Sequence, residues 1–173
     1  MSTAKPGRTK IIVIVILALL ANYGLDRATK TIAVEELKGQ GSHSFFGGLM
    51  VISYAENTGA FLSMGNAWPI PIKITLLLVL PIAVCLLGLY YALFREPSLA
   101  KAAVMATVIA GGLANLQDRL FNNFRVVDFL NFGIGNLRTG ILNVADLSVT
   151  FGVIVWMILE LKSGKKPEEK KGA

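Results

Sequence analysis

Four long apolar runs govern what this chain can become. They lie at about residues 11–25, 70–94, 99–120 and 144–161. A helix needs about 20 mostly apolar residues to cross a bilayer. In lipid every backbone N–H and C=O must be paired within the protein, so lipid-exposed runs of this kind form helices rather than loops. Hydrophobic residues make up 54% of the chain and charged residues only 16%, against about 25% charged in a soluble domain. The expectation is a mainly α membrane protein with four transmembrane helices, a single domain over residues 1–163. Pro81 predicts a kink in the second helix. Residues 164–173 are charged and include Pro167, which predicts a disordered tail.

The net charge of +6 is distributed in a telling way. Lys5, Arg8 and Lys10 precede the first run, Arg95 and Lys101 flank the short break between the second and third, and Lys162, Lys165, Lys166, Lys170 and Lys171 crowd the C-terminus. Basic flanks mark the cytoplasmic side. Both termini are therefore expected inside, and the connections over about 31–69 and 122–143 outside. No basic face with interleaved aromatics appears, which argues against nucleic acid as a partner. The basic start and the stretch from Ala18 to Ala21 also match a cleavable signal peptide. Against that, Asp26, Arg27 and Lys30 follow directly and read as a functional helix end.

Phe45 to Tyr54 is aromatic and β-branched, interrupted by Gly47 and Gly48. It predicts a short hairpin or sheet on the membrane surface. Ala106, Ala110 and Ala114 recur at four-residue spacing beside Gly111 and Gly112, which lets helices approach closely in lipid. His43 is the only histidine and Cys85 the only cysteine. They allow neither a disulfide within the chain nor a His/Cys metal cluster, and Cys85 reads as a packing residue.

All four aspartates, Asp26, Asp118, Asp128 and Asp146, fall at expected outer helix ends or in the outer connection. An ionisable residue at membrane depth is costly and marks function by default. A single one also serves as a cap or an ion-pair partner, as Asp26 with Arg27 or Asp118 with Arg119. Asp128 and Asp146 have the least obvious partners. If the chain folds so that they meet, one proton is shared between them. Such a pair offers a base to activate water and an acid for the leaving amine, the logic of an aspartic protease. Spacing alone does not bring them together. Nothing marks Ser63 and Lys73 as a catalytic pair, a metalloprotease lacks its histidines, and no phosphate loop is present. A non-enzymatic transporter subunit or scaffold, with aspartates as ion or proton sites, stays open on these residues.

The motifs taken together resemble the lipoprotein signal peptidase family, also called signal peptidase II. They are Leu25-Asp26-Arg27-Ala28-Thr29-Lys30, Asn57-Thr58-Gly59-Ala60-Phe61, Gly111-Gly112-Leu113-Ala114-Asn115-Leu116-Gln117-Asp118-Arg119, Val126-Val127-Asp128-Phe129 and Asn143-Val144-Ala145-Asp146. Their order and spacing are also similar. The resemblance implies a four-helix fold in the bacterial cytoplasmic (inner) membrane, with a small extracytoplasmic β-sheet platform and a short outer helix. It implies cleavage of diacylglyceryl-modified prolipoproteins just before the lipidated cysteine, with membrane lipid and globomycin-type inhibitors as further partners and no metal or cofactor. By resemblance Asp128 and Asp146 are the catalytic pair. Asn57, Asn115, Asp118, Arg119 and Asn143 line or support the substrate site, with Arg119 and Asn115 holding substrate carbonyls. Asp26, Lys30, Gly59, Gly112 and Ala145 are supporting residues. The apolar outer connection is expected to act as a lid that limits water. The chain departs from the family pattern at Ala114, where Gly is usual, and at Ala60, where two alanines are usual. The stretch from Asp118 to Asp128 is also one residue longer than in some relatives.

Overall fold

The computed structural model describes residues 6–60 and 64–164. Phe61 of the second motif, Ser63 and the charged tail after Gly164 lie outside the described residues. Helix α1 spans Arg8–Glu36, α2 Ile70–Phe94, α3 Leu99–Phe121 and α4 Val144–Gly164. All four are long and apolar enough to cross a membrane. Helix α3 is the central one: 39% of its most apolar stretch is buried, against 11% to 17% in the others. Those three turn side chains such as Leu20, Leu87 and Phe151 outward. A surface so apolar suits lipid rather than water.

Helix α1 runs well past Leu25, and this corrects the expected helix end at Asp26. Between Leu25 and Gly39 no Gly or Pro interrupts it. Its polar residues turn inward instead: Asp26 and Lys30 are buried and lie one turn apart on one face. At its other end Ile11 and Val15 pack in a core with Ala92, Ala102 and Ala106, so the first apolar run is part of the bundle. The expected disturbance near Pro81 takes the form of a π-helical stretch, Thr75–Val79, just before it. The wider turn accommodates the loss of the N–H donor that proline lacks.

Strands β1 (His43–Phe45), β2 (Met50–Asn57), β3 (Val126–Ile134) and β4 (Leu137–Arg138) form one antiparallel sheet in chain order. The β1–β2 hairpin answers the expectation for Phe45 to Tyr54. Its partner β3 was expected only as an apolar connection and a lid. It is instead an inner strand, paired with β2 along Asp128↔Ala55 and Val126↔Asn57 and with β4 at its far end. A strand held on both edges does not swing as a lid. At this end of the bundle Glu56 accepts from Tyr54 Oη and Arg125 Nη1, both at 2.7 Å, and pairs with Lys38. The Tyr54 and Arg125 hydrogen bonds lower its pKa to about 2, and the cluster ties α1 to the sheet.

Helices α3 and α4 pack closely at Gly111. A Cβ there would lie 2.5 Å from the Ala145 carbonyl oxygen and 2.9 Å from Val149 Cγ2. We predict that Gly111→Ala lowers stability by about 1–3 kcal/mol through overpacking, read as a fall in Tm in detergent. Gly24→Ala, where nothing lies within 4 Å, should be neutral or raise Tm slightly, since Gly costs about 0.8–1 kcal/mol relative to Ala in a helix.

Candidate active site

The site is built where the sheet meets the helix ends. Asn143 precedes α4, and Asp146 lies in its first turn. The Asp146 N–H donates to Asn143 Oδ1 at 2.9 Å, and the Asn143 N–H donates back to Asp146 Oδ2 at 3.2 Å. This reciprocal pairing satisfies orphan donors of the helix start as a capping box does. Just upstream, Leu142 runs alongside β3, exchanging backbone hydrogen bonds with Leu130 and accepting from Phe129 at 2.8 Å. The return of the chain along β3 is what carries Asn143 to Asp128. Asn143 Nδ2 donates to Asp128 Oδ1 at 2.6 Å. One residue therefore contacts both aspartates.

Three further amide and charged groups complete the arrangement. Asn115 on α3 donates from Nδ2 to Asp146 Oδ1 at 2.9 Å, and its Oδ1 accepts from Asn143 Nδ2 at 3.1 Å. Asn57, at the end of β2, donates to Asp128 Oδ2 and to the Ala60 carbonyl, both at 3.1 Å, and accepts from the Gly59 N–H. Arg119 Nη2 donates to the Gly59 carbonyl at 2.7 Å, so the Asn57–Ala60 turn is pinned to α3. Arg119 Nε is buried and finds no acceptor among the described residues.

The charges behind the site pair differently from the sequence neighbours. Chain proximity left Asp26 open to a cap or a pair with Arg27, and Asp118 to a cap or a pair with Arg119. Adjacent residues on a helix point about 100° apart, whereas those three or four apart share a face. Asp26 pairs with Lys30, 2.9 Å away. Asp118 pairs with Lys30 at 2.8 Å and with Arg27. Asp118, expected among groups facing the substrate, is thus buried and taken by two cations. Asp26 Oδ1 accepts from the Ala145 N–H at 2.8 Å, so it caps α4 from across the bundle. Gly112 lies against α2, where a Cβ would meet Cys85 Sγ at 2.8 Å. Tyr54, Glu56, Lys38 and Arg125, beside the Asp128 strand, were not singled out in the sequence. They are scattered from residue 38 to residue 125, and no spacing signals them.

Asp128 is 2% exposed, whereas Asp146 is partly open. Burial first, and then the charge of Asp146, raise the Asp128 pKa to about 7, against the opposing hydrogen bonds from Asn57 and Asn143. Two carboxyl groups in unlike surroundings, held by neutral amides, can divide acid and base roles.

A family model described as signal peptidase (SPase) II matches residues 12–162. The chain belongs to the signal peptidase II family. It is 35% identical over 122 residues to the lipoprotein signal peptidase of Borrelia duttonii (strain Ly), covering 68% of this chain and 71% of that one. It is 32% identical over 149 residues to that of Bacillus pumilus (strain SAFR-032), covering 84% and 90%. A bacterial membrane enzyme solved by the in meso method at 2.3 Å resolution superposes with a TM-score of 0.76 at 25% identity, covering 92% of this chain and 94% of its own. A second, at 1.9 Å, gives 0.74 at 26% identity over 86% and 92%. As a signal peptidase II member the chain is a multi-pass membrane protease, and the non-enzymatic transporter or scaffold alternative falls away.

In this signal peptidase II chain Asn143 is both a helix cap and a ligand of Asp128. Asn143→Ala should cost about 0.5–2 kcal/mol from the lost cap, with a further loss from the unpartnered buried groups. A Tm in detergent equal to that of the parent would contradict the assignment.

Proposed function

We propose that this chain is an aspartic endopeptidase that removes signal peptides from diacylglyceryl-modified prolipoproteins, cutting just before the lipid-bearing cysteine. The contact of Asn143 with both Asp128 and Asp146 carries the reading. Asp128, with its pKa raised to about 7, is the member that retains a proton into the neutral range. Asp146 lies in the first turn of α4, where the helix dipole favours negative charge. It takes a proton from water, and the resulting hydroxide adds to the scissile carbonyl carbon. Asp128 hydrogen-bonds the developing oxyanion, then gives its proton to the amine as the C–N bond breaks. A proton passing from Asp146 to Asp128 restores the pair. Neither a metal nor a cofactor enters this scheme.

Asn115 and the buried, unpartnered Nε–H of Arg119 are donors of the kind that hold substrate backbone carbonyls. An apolar cleft of about 330 Å³ between α2, α3 and α4, lined by Cys85, Gly112, Val149 and Trp156 among others, suits hydrocarbon entering sideways from lipid. Its upper wall, Gly112 and Val149, lies one helical turn from Asn115 and Asp146. Arg8, Arg95, Lys101 and Lys162 sit at the helix ends away from the sheet. The positive-inside rule then puts that end of the bundle, with both chain termini, in the cytoplasm and the carboxyls near the outer face of the bacterial inner membrane. Globomycin-type inhibitors would occupy the same site.

Asp128→Asn and Asp146→Asn should each reduce cleavage of a diacylated precursor by at least about 10²–10⁴-fold, with Tm retained. Retained cleavage by either variant rejects the pair. A non-lipidated precursor should remain uncut, and equal cleavage of both precursors would reject the substrate class.

The acid must be protonated to act, so kcat/KM should fall as pH rises through about 7, where Asp128 ionises. A profile flat from about pH 6 to about pH 9 would contradict this division of roles.

A further inference from the structure

Lys30 is 1% exposed in a bundle surrounded by lipid. Two of its ammonium contacts are the carboxylates of Asp26 and Asp118, at 2.9 and 2.8 Å. The third is a neutral group: Lys30 Nζ donates to Asn115 Oδ1 at 2.8 Å. An amide side chain can turn either end toward a neighbour, and an ammonium carries donors only. Lys30 therefore receives the oxygen end of Asn115 and no other. That leaves Nδ2 to point at Asp146, where it donates at 2.9 Å. The same Asn115 oxygen accepts from Asn143 Nδ2, which also reaches Asp128 at 2.6 Å. One cation thus settles the orientation of two amides, and these amides touch both carboxyls.

We propose that Lys30 is a positioning residue of the hydrolytic pair, setting through Asn115 the donor that holds Asp146 and through Asn143 the placement of Asp128. This rests on the assignment of Asp128 and Asp146 as the pair. The competing role is charge balance alone, with Lys30 present only to neutralise its carboxylates. Arg27 already holds Asp118, so the two roles separate when Asp26 is neutralised together with Lys30. An Asn at position 26 retains an oxygen for the Ala145 N–H, the bond Asp26 now makes.

The test compares K30M, K30M/D26N and K30Q/D26N as full-length purified protein, with a diacylated precursor as substrate and Tm measured for each. K30M should lower Tm. K30M/D26N should recover Tm while kcat stays roughly 10²-fold down with KM within about threefold, as for a misplaced catalytic group. Return of kcat to the parent value would overturn the proposal, because charge balance would then suffice. K30Q/D26N restores a donor near Asn115 and should regain about tenfold in kcat over K30M/D26N. Equal losses in the two would also overturn it.

Coupling gives a second reading. Adding N115A to K30M/D26N should cost less than about threefold beyond N115A alone, since both act on one contact. Losses that multiply would overturn the proposal. Should K30M/D26N fail to fold, the same comparison in K30Q/D26N decides, with multiplied losses again counting against it. The underlying pair is judged separately: cleavage by D146N would remove that assignment whatever the Lys30 variants do.

Discussion

An ammonium enclosed by helices in lipid must find its counter-charges inside the protein. Desolvating such a group costs several kcal/mol even after relaxation, and the apolar surroundings return none of it. Lys30 meets Asp26 on its own helix and Asp118 on α3. Asp26 in turn holds the Ala145 N–H at the start of α4. Three helices are joined by this one cluster at the end where the sheet sits. Removing Lys30 leaves Asp26 a buried charge without a cation, a change that costs about 3–5 kcal/mol in comparable sites.

From that cluster the contacts pass to neutral groups. Asn115, Asn143 and Asn57 are the side chains that touch Asp146 and Asp128. Amides orient a carboxyl group without adding a formal charge beside it. Had Lys30 stood in direct contact with either aspartate, its charge would have favoured the ionised form strongly. With one residue of separation, burial and the charge of Asp146 prevail and raise the Asp128 pKa to about 7. The two carboxyls differ further in their supports. One projects from an inner strand sealed from solvent, and the other sits in a helix first turn that is partly open.

The sheet serves this arrangement more than it serves the core. Strand β3 brings Asp128 to the helix ends, and β2 brings Asn57 beside it through the Val126↔Asn57 register. Because side chains alternate along a strand, a one-residue slip would turn Asp128 to the opposite face. The β3–Leu142 hydrogen bonds fix the remaining distance, since they determine where α4 begins.

The sequence by itself determined the membrane setting and the number of spans, because mean hydropathy over about 20 residues is a local property that lipid reads directly. It also carried five motifs whose order and spacing resemble a family now shown by comparison. It did not determine the pairing. Neighbouring charges suggested Asp26 with Arg27 and Asp118 with Arg119, whereas helix geometry assigned Asp26 to Lys30 and Asp118 to both Lys30 and Arg27. Nor did it show that Val126–Ile134 is an inner strand or that α1 continues to Glu36. Those outcomes belong to the tertiary structure, because contacts such as Asp26 with Ala145 join residues 119 apart. No local rule of spacing reaches that far, and only the packing of four helices under one sheet decides which groups meet.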